Sequence, residues 1–238
     1  MTYSAIPMPT RPSEPTVLEM SLYNYQKKAR EFYITKNNTA PVNETSKEKQ
    51  ERIERQNRDW EHLKLQRKSL AIQAWLESQL EEYRQKNSVA KRNELRNEKH
   101  HPTKVLIQNL EAIGEPKPTP YHHAHHIIPG KGQYLRQAVY EARMNLHTFC
   151  FGINDPVNGV WLRNYFKNQE HDWATPDAPS HASIHRHNYE QWIGTQLGNR
   201  DVDATQFLAK LKMVKVQLKT GAHPSQILEG KDTQWSGK

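Results

Sequence analysis

The sequence predicts an α+β chain in which helix predominates, with a helical N-terminal region followed by a small module of strands, a turn and a histidine-bearing helix. Three observations predict this. Residues 47–97 contain neither Gly nor Pro, so nothing interrupts a helix there. All ten glycines fall from Gly114 onward and ten of the thirteen histidines from His122 onward, so the chain changes character near residues 113–121. Beyond that point His122-His123-Ala124-His125-His126-Ile127-Ile128 reads as a histidine-rich strand, and Asn158-Gly159-Val160-Trp161-Leu162 as a turn dipeptide entering a strand. The expected organisation is a helical region over 1–113, a stiff Pro-rich linker over 114–120, and a module over 121–238 with its core in 121–197.

The N-terminal residues 1–44 hold a Pro-rich leader and a short amphipathic candidate from Leu18 to Tyr33, with a loop from Lys36 to Ser46. From Lys47 to about Asn97, Ile53, Trp60, Leu63, Leu70, Ala74, Trp75 and Tyr83 recur near helical spacing amid charges of both signs, which predicts one long helix or a helical hairpin. Trp60 and Trp75, like Trp161 and Trp192, are expected to pack in a core. Gly114-Glu115-Pro116-Lys117-Pro118-Thr119-Pro120 is the linker, because proline fixes φ and biases its predecessor away from helix. After the histidine strand, Leu135, Ala138, Val139, Ala142, Leu146 and Phe149 share one helical face, with Cys150 expected to be buried at that helix's end. A further helix is expected from His181 to Leu197, stopped by Gly198, and a last one from Thr205 to Lys219.

Composition narrows the function classes. The chain has 238 residues, a formal charge of +8 and 35% apolar residues, with a mean hydropathy of -0.98 and a pI near 9.4. Such a balance favours an anionic partner, nucleic acid above all. Residues 1–120 carry 21 basic against 16 acidic side chains and residues 121–238 carry 13 against 10, so no single basic tail explains the charge. Cys150 is the only cysteine, which excludes an intrachain disulfide and a cysteine zinc cluster. No run reaches membrane-spanning length, and Met1 to Pro15 lack the apolar core of a secretory signal. A soluble chain made in the cytoplasm is expected, with another route if it is exported.

The histidines carry the chemistry. His181 and His185, spaced i, i+4, would share one helical face, and with His125 they form a three-imidazole set that leaves a metal position open. Hydrolysis of a phosphodiester needs a base for water and a cation for the charge that builds on oxygen, and adjacent histidines can divide those roles. If His125 and His126 lie in an extended strand, their side chains point to opposite sides, so both can serve one site only where the backbone bends. His122, His123 and His187 leave open which imidazoles bind metal. A closed four-ligand set would instead describe a structural zinc in an assembly protein. Lys210, Lys212, Lys215 and Lys219 on the last helix are candidate phosphate contacts.

Together, Ala124-His125-His126-Ile127-Ile128-Pro129, an Arg-bearing helix, Asn158-Gly159-Val160-Trp161-Leu162, His181-Ala182-Ser183-Ile184-His185 and Tyr189 resemble the AHH-type nucleases of the HNH/endonuclease VII superfamily. The resemblance covers roughly Tyr121 to Leu197. It implies a ββα-metal fold and one divalent ion (Mg, Mn, Zn or Ni) on His125, His181 and His185. It also implies His126 as general base and Asn158 as the residue that orders the base-bearing hairpin. DNA is the expected substrate, with RNA the alternative. Because such modules commonly occur in bacterial polymorphic toxins, the resemblance implies an antibacterial effector delivered by a secretion system into a target cell. An acidic cognate immunity protein, and a secretion carrier or chaperone met by the N-terminal helices, would be its partners.

Overall fold

A computed structural model describes residues 7–38 and 40–238; residues 1–6 of the Pro-rich leader lie outside the described residues. The chain packs as two units, residues 1–76 and 77–238.

The first unit contains α1 (Val17–Asn37) and most of α2 (Ser46–Val89). Thr16 caps α1: its hydroxyl accepts from Glu19 N while Glu19 returns to Thr16 N, a reciprocal pairing that satisfies two otherwise orphaned donors. The ring of Phe32 stacks on Trp60 at 5.7 Å, and Arg52 forks onto Glu44 at 2.6 and 2.8 Å. Trp60 and Trp75 are nevertheless about half exposed and α1 buries no residue. The expectation that both tryptophans lie in a core is therefore corrected, because one helix packed on another covers only part of a large ring. No described helix is long and apolar enough to cross a membrane.

The second unit holds the rest of α2, then α3 (Arg92–Arg96), α4 (Lys104–Ala112), β1 (His122–His126), α5 (Arg136–Thr148), β2 (Gly159–Arg163), α6 (His187–Leu197) and α7 (Ala204–Thr220). The fold is α+β and mostly helical, as the sequence predicts. Its sheet is a single antiparallel pair in which His122 faces Arg163, Ala124 faces Trp161, and His125 and His126 face Val160 and Gly159. Side chains alternate across this pair. One side carries Val160 and Leu162 into the main core with Ile184, Tyr189, Trp192, Leu211 and Val214. The other side sets Ala124 and Trp161 against Leu106 and Leu110 of α4. A two-stranded sheet is marginal by itself, and cover on both faces is what makes it a rigid platform.

That packing places the division of the chain elsewhere than its composition does. Residues 77–113 belong with the module, and the Pro-rich stretch lies against it: Trp161 Nε1 donates to Glu115 O at 2.9 Å and Lys215 pairs with Glu115 at 2.8 Å. Gly114, at φ 77°, ends α4 in the left-handed region, where glycine carries no steric penalty.

Two further expectations are corrected. The helix begins at His187 rather than His181; His181–Ser183 form a single 3-10 turn and Arg186 is the extended residue before α6. Cys150 is exposed, with φ 62°, just past the end of α5. The start of α5 is held by the buried Glu190 of α6, whose carboxylate accepts from Gln133 N, Tyr134 N and Leu135 N at 2.6–2.9 Å, a placement that also suits the helix dipole.

Candidate active site

β1 extends through both His125 and His126, and their side chains do leave opposite faces of the sheet. His125 turns toward α6, where its Nε2 lies 3.0 Å from the Tyr189 hydroxyl. His126 turns the other way, with Nε2 3.0 Å from Asn154 Oδ1. The strand ends at His126 and the chain bends at Ile127 and Ile128, so both imidazoles line one cleft of about 460 Å³. A strand through the pair is thus compatible with a shared site because His126 is its last residue.

Hydrogen bonding fixes the proton of each ring. Tyr189 donates its hydroxyl proton to Ile127 O at 2.7 Å, so its oxygen accepts from His125 Nε2–H and Nδ1 keeps a lone pair. Asn154 Nδ2 donates to Glu98 Oε1 at 2.6 Å and to Lys99 O at 2.9 Å. Only an amide nitrogen can serve both acceptors, so Oδ1 faces His126, Nε2 of that ring carries its proton, and Nδ1 is again the basic atom. Asn158, fully buried, accepts from Ile128 N at 2.8 Å and donates to Ile128 O and Ile153 O. It clamps the bend that follows the two histidines to the segment that enters β2.

The 3-10 turn brings His181 to the strand by a route that helix periodicity does not reveal. Ala182 N donates to Asn164 O, just past β2, at 3.1 Å. His181 and His185 then meet His125 with ring centroids 5.1 and 5.3 Å away, and their own Nε2 atoms are 3.4 Å apart. One ligand atom from each of the three lies within 4.8 Å of the others. Two nitrogens bound to one tetrahedral ion at 2.0–2.1 Å would be about 3.4 Å apart, so the spacing fits a metal. Among the described residues no fourth His, Cys, Asp or Glu joins the set, which leaves a coordination position open.

Burial is the main influence on these imidazoles. It holds His126 and His181 down at about 4, with the Asn154 hydrogen bond opposing it at His126 and His185 adding to it at His181. Burial also pushes His125 well below the usual range, and His185 downward. All four are therefore neutral near pH 7, the form that can accept a proton or bind a metal.

The neighbouring histidines have other places. His122 is buried on the Trp161 side, between Thr119 Oγ1 at 2.9 Å and Asp172 at 3.3 Å, in a cluster that also holds Arg163. His187 pairs with Asn188, and His123 lines the cleft with its ring 5.6 Å from His181. Arg143 of α5 donates to Gly130 O, Arg96 O and His147 Nε2, tying the loop after the histidines to α3. Of the four lysines, Lys215 and Lys219 engage Glu115 and line, with Lys212, a groove that shares no residue with the histidine cleft; Lys210 also lies outside the cleft lining.

The family model AHH, a nuclease family of the HNH/ENDO VII superfamily with conserved AHH, matches residues 107–216. Over this region the chain is similar to the AHH nucleases. The tripeptide Ala124-His125-His126 carries the conserved AHH of that family, and the similarity supports a nuclease activity. Comparison with curated proteins and with solved structures gives no match.

The AHH region does not supply the whole cleft. His100 and His101, upstream of the match, line it as well. Sequence reasoning passed over them although they are a histidine pair, because they precede the Pro-rich stretch. Asn154-Asp155-Pro156 has the composition of a turn. That holds for Asp155, which accepts from Val157 N at 3.0 Å, but it hides Asn154.

Proposed function

We propose that this chain is a metal-dependent endonuclease that hydrolyses DNA. The observation that carries the reading is the placement of a neutral imidazole with a free Nδ1, His126, in the same cleft as a three-histidine set with an open position. Histidine is suited to general-base work once its second nitrogen is fixed by an acceptor. Here the acceptor is Asn154, itself held by Glu98 and Lys99.

In the proposed reaction His126 Nδ1 takes a proton from water as the water oxygen attacks phosphorus. The P–O3′ bond breaks and the departing 3′ oxygen takes a proton from solvent, giving a 5′-phosphate and a 3′-hydroxyl. Asn158 keeps the bend beyond His126 in place, and Tyr189 keeps His125 in the tautomer that offers Nδ1. A divalent cation held by His125, His181 and His185 would offset the charge that develops on the phosphoryl and departing oxygens. An all-imidazole set favours zinc or nickel over magnesium, which prefers oxygen donors.

We further propose an antibacterial effector, delivered by a secretion system into a target cell and neutralised by an acidic immunity protein. The resemblance to toxin modules and the charge of +8 support that role, because a basic surface associates quickly with a polyanion or with an acidic inhibitor. Incubation of the purified chain with plasmid DNA and with RNA, with added zinc or nickel and with EDTA, tests the reading. Cleavage of DNA that EDTA abolishes is expected. Preferential loss of RNA would change the substrate, and undiminished cleavage in EDTA would remove the metal.

A further inference from the structure

We propose that His101, from a segment outside the AHH match, is a substrate-binding residue that donates a hydrogen bond to the scissile phosphate across the cleft from the three-histidine set. The inference rests on the nuclease reading above and names a contact that the AHH region itself does not contain.

The geometry begins with a built strap. Residues 96–99 are stitched to the AHH region by Arg143 Nη2 to Arg96 O at 2.7 Å, Ile153 N to Glu98 Oε2 at 2.8 Å, and Asn154 Nδ2 to Glu98 and Lys99. Asn154 is therefore a joint: one end of its amide orients His126 and the other holds the segment that leads to His100 and His101. The ring of His100 packs over Gly130, where any side chain would collide with it. His101 follows, with its ring 4.6 Å from His100 and 6.2 Å from His126. It is exposed at the mouth of the cleft.

Position and charge both suit an anion. His101 lines the same cleft as His126, His181 and His185, with its ring 6.2 Å from that of His126. The cleft is lined by seven histidines and Lys131, with no carboxylate among its lining residues. A phosphodiester entering between His126 and the three-histidine set would meet the N–H of His101 on its outer side. In a partly desolvated cleft free of carboxylates, a hydrogen bond to the phosphate anion is stronger than one in water.

The test uses the full chain loaded with zinc or nickel. Losing a charge-assisted hydrogen bond should cost about tenfold or more. His101→Ala is expected to lower kcat/KM on plasmid DNA by that factor. In a His126→Ala background it should weaken binding of a fluorescein-labelled DNA oligonucleotide to a similar degree. Metal content and melting temperature should stay at wild-type values, and His101→Gln, which keeps an N–H donor, should recover part of the loss. Unchanged cleavage and binding by His101→Ala, beside an active wild type, would overturn this inference alone. A variant that loses metal or melts early would overturn it as well, by making the role structural. A metal-loaded wild type inert toward both DNA and RNA would remove the nuclease reading and this inference with it.

Discussion

Asn154 Oδ1 receives the Nε2 proton of His126 at 3.0 Å, while its amide protons hold Glu98 and Lys99. One side chain thus sets the tautomer of the base and anchors a segment beyond the family match. Asn154→Ala is expected to lower turnover by roughly 10- to 100-fold, as loss of a partner that orients a site histidine typically does. Metal content should remain near wild type, because the three-histidine set lies on the other side of the strand. Steady-state cleavage together with elemental analysis checks it, and loss of metal in parallel with turnover would contradict the assignment.

Tyr189 plays the corresponding part for the metal set. Its hydroxyl accepts from His125 and donates to Ile127 O at 2.7 Å. Tyr189→Phe keeps the ring in the core but frees His125 to change tautomer, so metal affinity should fall about 10- to 100-fold. Excess metal should restore cleavage. A zinc or nickel titration by calorimetry reads this, and equal affinity in the variant would show that the ring is oriented by packing alone.

The two units should separate by function. A chain beginning at Glu77 retains α3, α4, Glu98 and the second unit's core, and is expected to fold and cleave. A chain beginning at Pro116 loses Leu106 and Leu110 from beneath the sheet and Glu98 from behind Asn154, so it should be insoluble or inactive. Circular dichroism and cleavage of the two fragments decide it; an active Pro116 fragment would mean that the AHH region folds without its α4 cover.

The pH dependence of stability should reveal His147. It is buried, accepts from Arg143 Nε at 3.1 Å and places Nδ1 2.9 Å from Phe151 O; burial, with Arg143 adding to it, holds it at about 4. The ordinary value in the unfolded chain is about 6.5, so between these values the unfolded state binds the extra proton. Stability from the neutral ring is present above about pH 6.5 and is lost as pH falls toward 4, by up to about 3 kcal/mol. Urea unfolding from pH 7 to pH 4.5 should show a shallower decline in His147→Gln than in the wild type; identical slopes would contradict the assignment.

Local pattern made much of this legible. The histidine strand, the Asn158-Gly159 turn, the α5 stripe and the His181/His185 pair depend on neighbours two to four residues apart, and all appear in the fold. What the sequence concealed depends on contacts between distant segments. The bond from Ala182 N to Asn164 O draws His181 into a 3-10 turn, although the i, i+4 spacing still brings both rings together. Apolar residues of α4 match a helix as readily as those of a spacer, and only the sheet shows that Leu106 and Leu110 have a face to cover. Lys215 looks like a phosphate contact until Glu115, a hundred residues earlier, is found beside it. His100 and His101 lack a signal for the same reason, since Asn154 is what carries them to the cleft.

The central claim is that two adjacent histidines divide base and ligand duties, and paired metal and cleavage measurements on His126→Ala and His181→Ala test it most directly. The account predicts that His126→Ala keeps a full equivalent of zinc or nickel by elemental analysis while plasmid cleavage falls by about 10²- to 10⁴-fold. His181→Ala should lose both metal and cleavage. Loss of metal from His126→Ala as complete as that from His181→Ala, or near-normal cleavage by His126→Ala, would contradict the division.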